Sequence, residues 1–366
     1  MNILIAHELG TGRDGIVRIS SVAQSIKEAY PGSFVVLSMK RLSDSKIMCN
    51  KYIDKIINNP VDTYSSDSFG SLNEYAHRRY FSNEEFYRSL CNKWKTIIKN
   101  EKPDIIISDN SPSAMIMGRI FGIPVIEICT SMYAARKPTT TKLENSNNSS
   151  FFIEAENILA DMNATSALVQ RVVVGIPSEA EESEGISFGY IESEKDDDGG
   201  LNIDVFAYIK KSDPHRNEII MALDQVNADL GKKILAVIPG IDPMLYKSDF
   251  ELTPHFMRLP GALYSSPLVV HSFGSGLSME ALRNGCPMWG IPSNPEQRFN
   301  KSSLSKLHAG ISSPKSVEDI VSSLISSVEN SKSHRDEAKK VWGRAIKNGL
   351  LPLSTIIVDK IGVLKR

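Results

Sequence analysis

The segment from Pro267 to Gln297 has the residue types and the spacing of an anion-binding site. It consists of an apolar run, a turn of small residues, a helical stretch, a second apolar run and a polar turn. A strand that enters a Gly-rich turn before a helix directs free backbone N–H groups and the positive end of the helix dipole to one point. Gly274 and Gly276 permit close approach of the backbone. Ser272 and Ser275 supply hydroxyl donors, so the segment predicts a site for a diphosphate or a similar anion.

Two further polar residues, Glu296 and Gln297, follow the second apolar run at 287–291. Ligands in open parallel sheets bind beyond the carboxyl ends of the strands. We therefore expect this pair to lie beside the turn. A turn of this composition can also serve close packing alone, which is the structural alternative.

The segment resembles the donor-binding half of the UDP-glycosyltransferase superfamily, whose members have the two-domain GT-B fold. The family pattern is a strand, H-G-G-x-G-T, a helix with E-A-L, G-V-P, a strand, P, and then D/E-Q. The residues that agree with it are Gly274, Gly276, Glu280, Ala281, Leu282, Gly285, Pro287, Pro292, Glu296 and Gln297. The phosphate-contacting His of the family falls on Ser272, with His271 one position earlier, and the Thr falls on Leu277. The resemblance implies that residues 271–277 hold a diphosphate and that Glu296 and Gln297 hold the hydroxyls of the donor sugar.

Two other donor contacts are expected. Ser212 follows a predicted strand at the edge of the expected cleft, where it can meet the diphosphate. Arg258 lies where relatives hold the nucleotide base, without the aromatic residue that many of them stack on it. A UDP-sugar is the expected donor, and thymidine or another nucleotide stays open.

The catalytic base is the part of the chain that departs from the family. An inverting transfer needs a base that removes the proton of the acceptor hydroxyl. The family supplies a His in the first Gly-rich turn and an Asp after a later strand; the Asp falls on Asp109, but the His position falls on Gly15. Asp14 beside it is one candidate base, and His7 at the end of the first strand is another. The third alternative is that no base is present.

For each of these residues an ordinary structural role is the competing interpretation. Asp109 precedes Asn110, Ser111 and Pro112, so it can cap the helix that follows. Asp14 can be a solvated turn residue, and a His in the position of His7 is more often a hydrogen-bonded structural residue.

The elements that position these residues alternate between strand and helix along both halves of the chain. Such alternation predicts an α/β fold with doubly wound parallel sheets. A length of 366 residues suits two domains. With the resemblance, this gives the GT-B fold: two Rossmann-like doubly wound domains that face a cleft. The predicted strands in the first half are 2–6, 34–38, 53–57, 104–108 and 124–128.

Charge distribution predicts the domain boundary. Residues 151–200 carry 2 basic and 12 acidic side chains, and the tract at 196–200 is Asp-Asp-Asp-Gly-Gly. We predict an acceptor-binding domain at 1–192, an acidic linker at 193–202 and a nucleotide-sugar-binding domain at 203–350. A C-terminal helix at 351–366 is expected to pack back on the first domain.

Composition excludes several classes of protein. The net charge of −1 comes without a basic stripe interleaved with aromatic residues, so no stable nucleic-acid footprint is expected. There is no apolar run near 18 residues and no basic segment before an apolar start, which predicts a cytoplasmic protein without a transmembrane segment. The four cysteines lack C-x-x-C spacing and are expected to be reduced thiols. We predict no metal and no cofactor, the nucleotide sugar being a co-substrate.

The function that the resemblance implies is metal-independent, inverting transfer of a hexose or pentose from a nucleotide-diphosphate donor to an acceptor hydroxyl. A small molecule, a lipid-linked carrier and a modified nucleobase are all open as acceptors. A nucleotide-sugar 2-epimerase is a less favoured enzyme of the same fold. The alternative from another class is a catalytically silent GT-B nucleotide-binding protein or auxiliary subunit, because a His is missing at residue 15.

Overall fold

The computed structural model describes residues 1–8, 13–39, 51–61, 77–81, 83–130, 157, 169–175, 186–191, 201–242, 250–254, 263, 265 and 267–365, without the side chains of residues 13, 14, 77 and 78. The chain divides into two compact units. The N-terminal unit comprises Met1–Glu192 and Leu350–Arg366, and the C-terminal unit comprises Ser193–Gly349.

The N-terminal unit is built on a parallel sheet of eight strands. In chain order these are β1 (Asn2–His7), β2 (Phe34–Met39), β3 (Lys55–Asn58), β4 (Ile105–Asp109), β5 (Val125–Thr130), β6 (Val169–Val174), β7 (Ile186–Tyr190) and β14 (Leu351–Pro352). Their order in the sheet is β14-β7-β6-β5-β4-β1-β2-β3. The sheet therefore changes direction of winding between β1 and β4, which is the topological switch point of a doubly wound fold.

Helices cover both faces of this sheet. Alternate residues of β1 enter two separate cores, with Ile3 and Ile5 in one and Leu4 and Ala6 in the other. The first core is covered by α1 (Arg13–Ala29) and α9 (Leu353–Leu364), and the second by α2 (Glu84–Glu101) and α3 (Pro112–Ile120). Trp94 of α2 is fully buried there. The apolar residues of α1 recur at helical spacing, which is why one stripe of this helix faces the sheet.

The C-terminal unit repeats this plan with six parallel strands. They are β8 (Val205–Tyr208), β9 (Ile234–Val237), β10 (Glu251–Thr253), β11 (Leu268–Val270), β12 (Met288–Trp289) and β13 (Ile311–Ser312). The order β10-β9-β8-β11-β12-β13 puts the switch point between β8 and β11. Its helices are α4 (Arg216–Leu230), α5 (Ser275–Arg283), α6 (Pro295–Lys306), α7 (Ile320–Glu329) and α8 (Ser331–Lys347).

The predicted fold class is confirmed, since each unit is an α/β, doubly wound, Rossmann-like domain. The five strands predicted in the first half are present with shifts of up to two residues at their ends. The acidic tract at 192–200 lies outside the described residues.

Candidate functional site

The switch point of the N-terminal unit brings together three ionisable side chains. His7 and Asp109 end the neighbouring strands β1 and β4 and are direct partners in their register. The His7 Nδ1 atom lies 2.7 Å from Oδ2 of Asp109, and the Nε group of Arg18 on α1 donates to Oδ1 at 2.6 Å. His7 and Arg18 are each 5% exposed and Asp109 is 1% exposed. We call this group the His7 site.

Charge in the His7 site fixes the roles of the imidazole nitrogens. Burial raises the pKa of Asp109, but the Arg18 guanidinium and His7 outweigh burial and hold this pKa below its ordinary value. Asp109 is therefore a carboxylate at neutral pH and can only accept hydrogen bonds. His7 then donates from Nδ1, and Nε2 is the ring nitrogen left to accept a hydrogen bond or a proton. Such an imidazole can take up a proton at Nε2.

The ring of His7 lies against Gly15 in the first turn of α1. A Cβ built on Gly15 would lie 2.6 Å from Cε1 and 3.0 Å from Nε2 of His7. The first distance is shorter than real Cβ contacts and the second is tighter than most of them, so the ring occupies space that a side chain at residue 15 would need. Asp14 lies in the same turn, and its side chain is outside the described part of the chain.

Asp109 does not cap the helix that follows it. The N-cap of α3 is Ser111, and a carboxylate from another element binds this helix start instead. Glu8, which follows β1 and is 2% exposed, accepts from the backbone N–H and the hydroxyl of Ser113 at 3.2 and 2.7 Å. Glu8 also accepts from the Ser111 hydroxyl at 3.2 Å. Sequence analysis missed Glu8 and Arg18; their only signal was a charge beside an apolar run.

At the switch point of the C-terminal unit lies the turn of residues 271–277, which we call the glycine turn. Gly274 is the N-cap of α5, with an extended backbone, and Ser275, Gly276 and Leu277 form the first helical positions. The N–H groups of a first helical turn lack partners within the helix. The turn therefore presents several N–H donors where the positive end of the helix dipole lies.

Side chains of α6 hold the glycine turn in place. The Ser275 hydroxyl donates to Glu296 at 2.8 Å, and Gln297 Nε2 donates to the Ser272 hydroxyl at 2.9 Å. The Gln297 carbonyl oxygen accepts from the backbone N–H and hydroxyl of Ser293 at 2.7 and 2.8 Å. The structure thus brings Glu296 and Gln297 to the turn, as the sequence predicted. Gln297 is 1% exposed, and in these contacts its amide braces the turn.

The backbone of the glycine turn has one unusual residue, Phe273, with a φ of 60°. Left-handed backbone is disfavoured for a large side chain. Asn300 of α6 donates to the Phe273 carbonyl at 2.9 Å and to the Ser275 hydroxyl at 3.0 Å, which supports this conformation. Gly290 after β12 lets the backbone of β12 approach the turn closely, because a Cβ there would lie 1.5 Å from the His271 carbonyl oxygen.

His271 directly follows β11, the strand that enters the turn, and is 5% exposed. Burial and the charge of Lys210 lower the pKa of His271 to about 3, so the ring is neutral at physiological pH. Its ring centroid lies 5.3 Å from that of Phe273. Ser212 is exposed in the turn after β8, and Arg258 lies outside the described residues.

No helix within the described ranges is long and apolar enough to cross a membrane. Over the same ranges, no group of three His, Cys, Asp or Glu side chains is arranged to hold a metal ion. Independence of metal stays a prediction.

Comparison with known proteins identifies the fold. No protein-family model matches the sequence, and no curated protein is similar to it. Solved structures do match along the whole chain. The glycosyltransferase VinC in complex with DTDP has a TM-score of 0.68 at 13% identity, with 100% of both chains covered. The spinosyn rhamnosyltransferase SpnG has a TM-score of 0.68 at 13% identity when complexed with thymidine diphosphate. Its complex with spinosyn aglycone gives 0.66 at 12%, and both SpnG comparisons cover 100% of both chains. The chain has the GT-B fold of these structures, as the sequence predicted.

Proposed function

We propose that this protein is a glycosyltransferase that moves a sugar from a nucleoside-diphosphate donor to a hydroxyl of a small-molecule acceptor. The observation that carries the proposal is the pairing of His7 with Asp109 at the carboxyl edge of one Rossmann-like sheet. The other sheet carries the glycine turn at its own switch point. Ligands of doubly wound folds bind at such points, and the two sites supply a proton acceptor and an anion cradle.

In the proposed reaction, the acceptor oxygen attacks the anomeric carbon of the donor. His7 Nε2 takes the hydroxyl proton as that C–O bond forms. The bond between the anomeric carbon and the diphosphate oxygen breaks, and the N–H groups at Gly274–Leu277 stabilise the leaving diphosphate. Attack from the side opposite the leaving group inverts the anomeric centre. The proposed reaction uses no metal, because the N–H donors stabilise the negative charge of the diphosphate.

His7 is the favoured base among the three alternatives. Its Nδ1 is held by an ionised Asp109, which leaves Nε2 free to accept a proton. Asp14, whose side chain is not described, is the second candidate. The catalytically silent alternative depended on the missing His at residue 15. The imidazole of His7 beside Asp109 supplies a base in its place, which weakens that alternative.

The similar structures support the proposed donor and acceptor classes. VinC binds DTDP and SpnG binds thymidine diphosphate, so thymidine-based donors stand beside the UDP-sugars that the resemblance implied. SpnG also binds an aglycone, which favours a small acceptor over a lipid-linked carrier or a nucleobase. Glu296 is proposed to contact the donor sugar. Ser212 and Arg258 remain proposed donor contacts at the diphosphate and the base.

The test is a panel of UDP- and TDP-sugars in which donor hydrolysis and transfer to small hydroxylated aglycones are followed by NMR. With the active pair of substrates, we expect His7→Gln to lower kcat by about 10²- to 10⁴-fold. We expect Asp14→Asn and the control His215→Gln, at a half-exposed turn His, to stay near wild type.

Loss of activity in Asp14→Asn with full activity in His7→Gln would assign the base to Asp14 instead. Nucleotide binding without turnover of any donor would contradict the proposed transfer and support the catalytically silent alternative.

A further inference from the structure

Gly15 has no backbone reason to be glycine. It lies in the first turn of α1 and is not among the glycines with a positive φ. Glycine is a poor helix former, and alanine is the best. The reason for glycine here is therefore the space around it, which contains the imidazole of His7.

The position of the imidazole is fixed from both sides. Asp109 holds Nδ1 through Oδ2, while its Oδ1 is engaged by Arg18. Asp109 also belongs to the β1–β4 ladder, so it cannot follow a displaced ring. A methyl group 2.6 Å from Cε1 would push the ring away from this carboxylate. Residue 15 therefore decides whether the His7 ring and Asp109 stay in contact.

We propose that Gly15 is a positioning residue for proton transfer. By lacking a side chain, it lets an imidazole carried by β1 occupy the place beside Asp109 that a His on α1 would need. The base is thus carried by the strand β1 instead of the helix α1. His7, with Gly15 leaving room for its ring, has the role that the resemblance assigns to a His at residue 15. This inference rests on the proposed function and concerns how its base is built.

Two consequences separate this arrangement from ordinary packing. The effect of a side chain at residue 15 must depend on the presence of the His7 ring. In addition, the imidazole must be transferable, since a His placed on α1 can reach the same carboxylate once the ring on β1 is removed.

The first experiment is Gly15→Ala, with Gly343→Ala as the matched control. Gly343 is also a helical glycine, in α8, and a Cβ there meets no atom within 4 Å. We expect Gly15→Ala to lower kcat about 10²-fold, the effect of an ångström-scale misplacement, with the donor KM unchanged. Gly343→Ala should keep wild-type kcat. Equal kcat in Gly15→Ala and wild type would overturn the inference.

The second experiment transfers the base. His7→Ala should lower kcat about 10²- to 10⁴-fold. The double variant His7→Ala/Gly15→His should have a kcat at least about tenfold above that of His7→Ala. In the His7→Ala background, Gly15→Ala should cause no further loss of kcat, and the urea midpoint should stay unchanged or rise, since alanine is the better helix former. A loss that persists without the ring would show that residue 15 acts through helix packing, and the inference would fail.

An NMR measurement tests the geometry independently of turnover. The Nδ1 proton of His7, hydrogen-bonded to a buried carboxylate, should give a resolved downfield signal in wild type and in Gly343→Ala. The signal should shift or vanish in Gly15→Ala. If it behaves in this way while no donor is turned over, the geometry is correct and the proposed function is wrong. An unchanged signal in Gly15→Ala would refute the positioning role.

Discussion

The two switch points of this molecule are built on opposite principles. The His7 site consists of three ionisable side chains from three elements, separated by 102 and 91 positions along the chain. Apart from the bond from Ser275 to the Glu296 carboxylate, the glycine turn is held by neutral hydrogen bonds between residues at most 27 positions apart. Its His271 is uncharged at neutral pH. One region is suited to hold and move a proton, and the other to receive an anion on fixed N–H dipoles.

This contrast has an energetic consequence. Removal of one member of a buried, charged group leaves its partners uncompensated, whereas each neutral hydrogen bond has a small net value. The N-terminal site should therefore depend on single residues much more strongly than the C-terminal site does.

The largest expected effect is that of Asp109→Asn on stability. The change leaves Arg18 as a buried cation without its carboxylate, and we expect a loss of about 3 to 5 kcal/mol in the free energy of unfolding at pH 7. Because the pKa of Asp109 is below its ordinary value of 3.8, its contribution is present above this pH and is lost as the pH falls through the lowered value. Urea denaturation across a pH series measures both.

The matched control for that change is Asp54→Asn. Asp54 pairs with Lys27 at 2.6 Å and accepts from the Val35 N–H at 2.7 Å, which the Asn side-chain oxygen can still do, and its side chain is 32% exposed. An exposed pair contributes less than about 1 kcal/mol. Equal losses in the two variants would contradict the contrast between a buried charge site and an ordinary surface pair.

His271 gives the next largest effect, and it appears only in acid. The folded pKa of about 3 lies below the ordinary value of 6.5, so between these values the unfolded chain binds a proton that the folded chain does not. The free energy of unfolding therefore decreases as the pH is lowered from 6.5 towards 3. Between pH 7 and pH 5, wild type should lose about 2 kcal/mol more than His271→Gln. Parallel curves of unfolding free energy against pH would show that His271 is not buried as a neutral ring.

The smallest effect should come from Asn300→Ala, which removes one brace of the glycine turn. We expect a loss of about 1 to 2 kcal/mol of stability, because the Phe273 carbonyl and the Ser275 hydroxyl lose a donor. Binding of nucleoside diphosphates, measured by calorimetry, should weaken in parallel. Asn330→Ala, at an exposed helix junction, is the control that should change neither quantity by more than about 0.5 kcal/mol. Unweakened nucleotide binding in Asn300→Ala would separate the brace from the site.

Much of the fold was predictable because its signals are local. Apolar strands alternate with amphipathic helices, and each buried face repeats at a period that the sequence displays. Strands β6 and β7 were not predicted, although Val169–Val174 is an apolar run. The run contains Arg171, and a charged residue in an apolar run argues against a buried strand when only the sequence is known. Arg171 donates to Glu127 on β5 at 2.5 Å, a compensation that exists only once the two strands pair.

The sequence by itself determined the glycine turn, because strand, turn, helix and the polar residues after the next strand are consecutive and their backbone chemistry is local. It also determined that His7, Asp14 and Asp109 were the candidate catalytic residues. Only the tertiary structure decided that His7 contacts Asp109, that Arg18 holds the second carboxylate oxygen and that Gly15 makes room for the ring. The physical reason is that parallel strands pair through long crossovers, so residues far apart in the chain become neighbours only when the register of β1 and β4 is fixed.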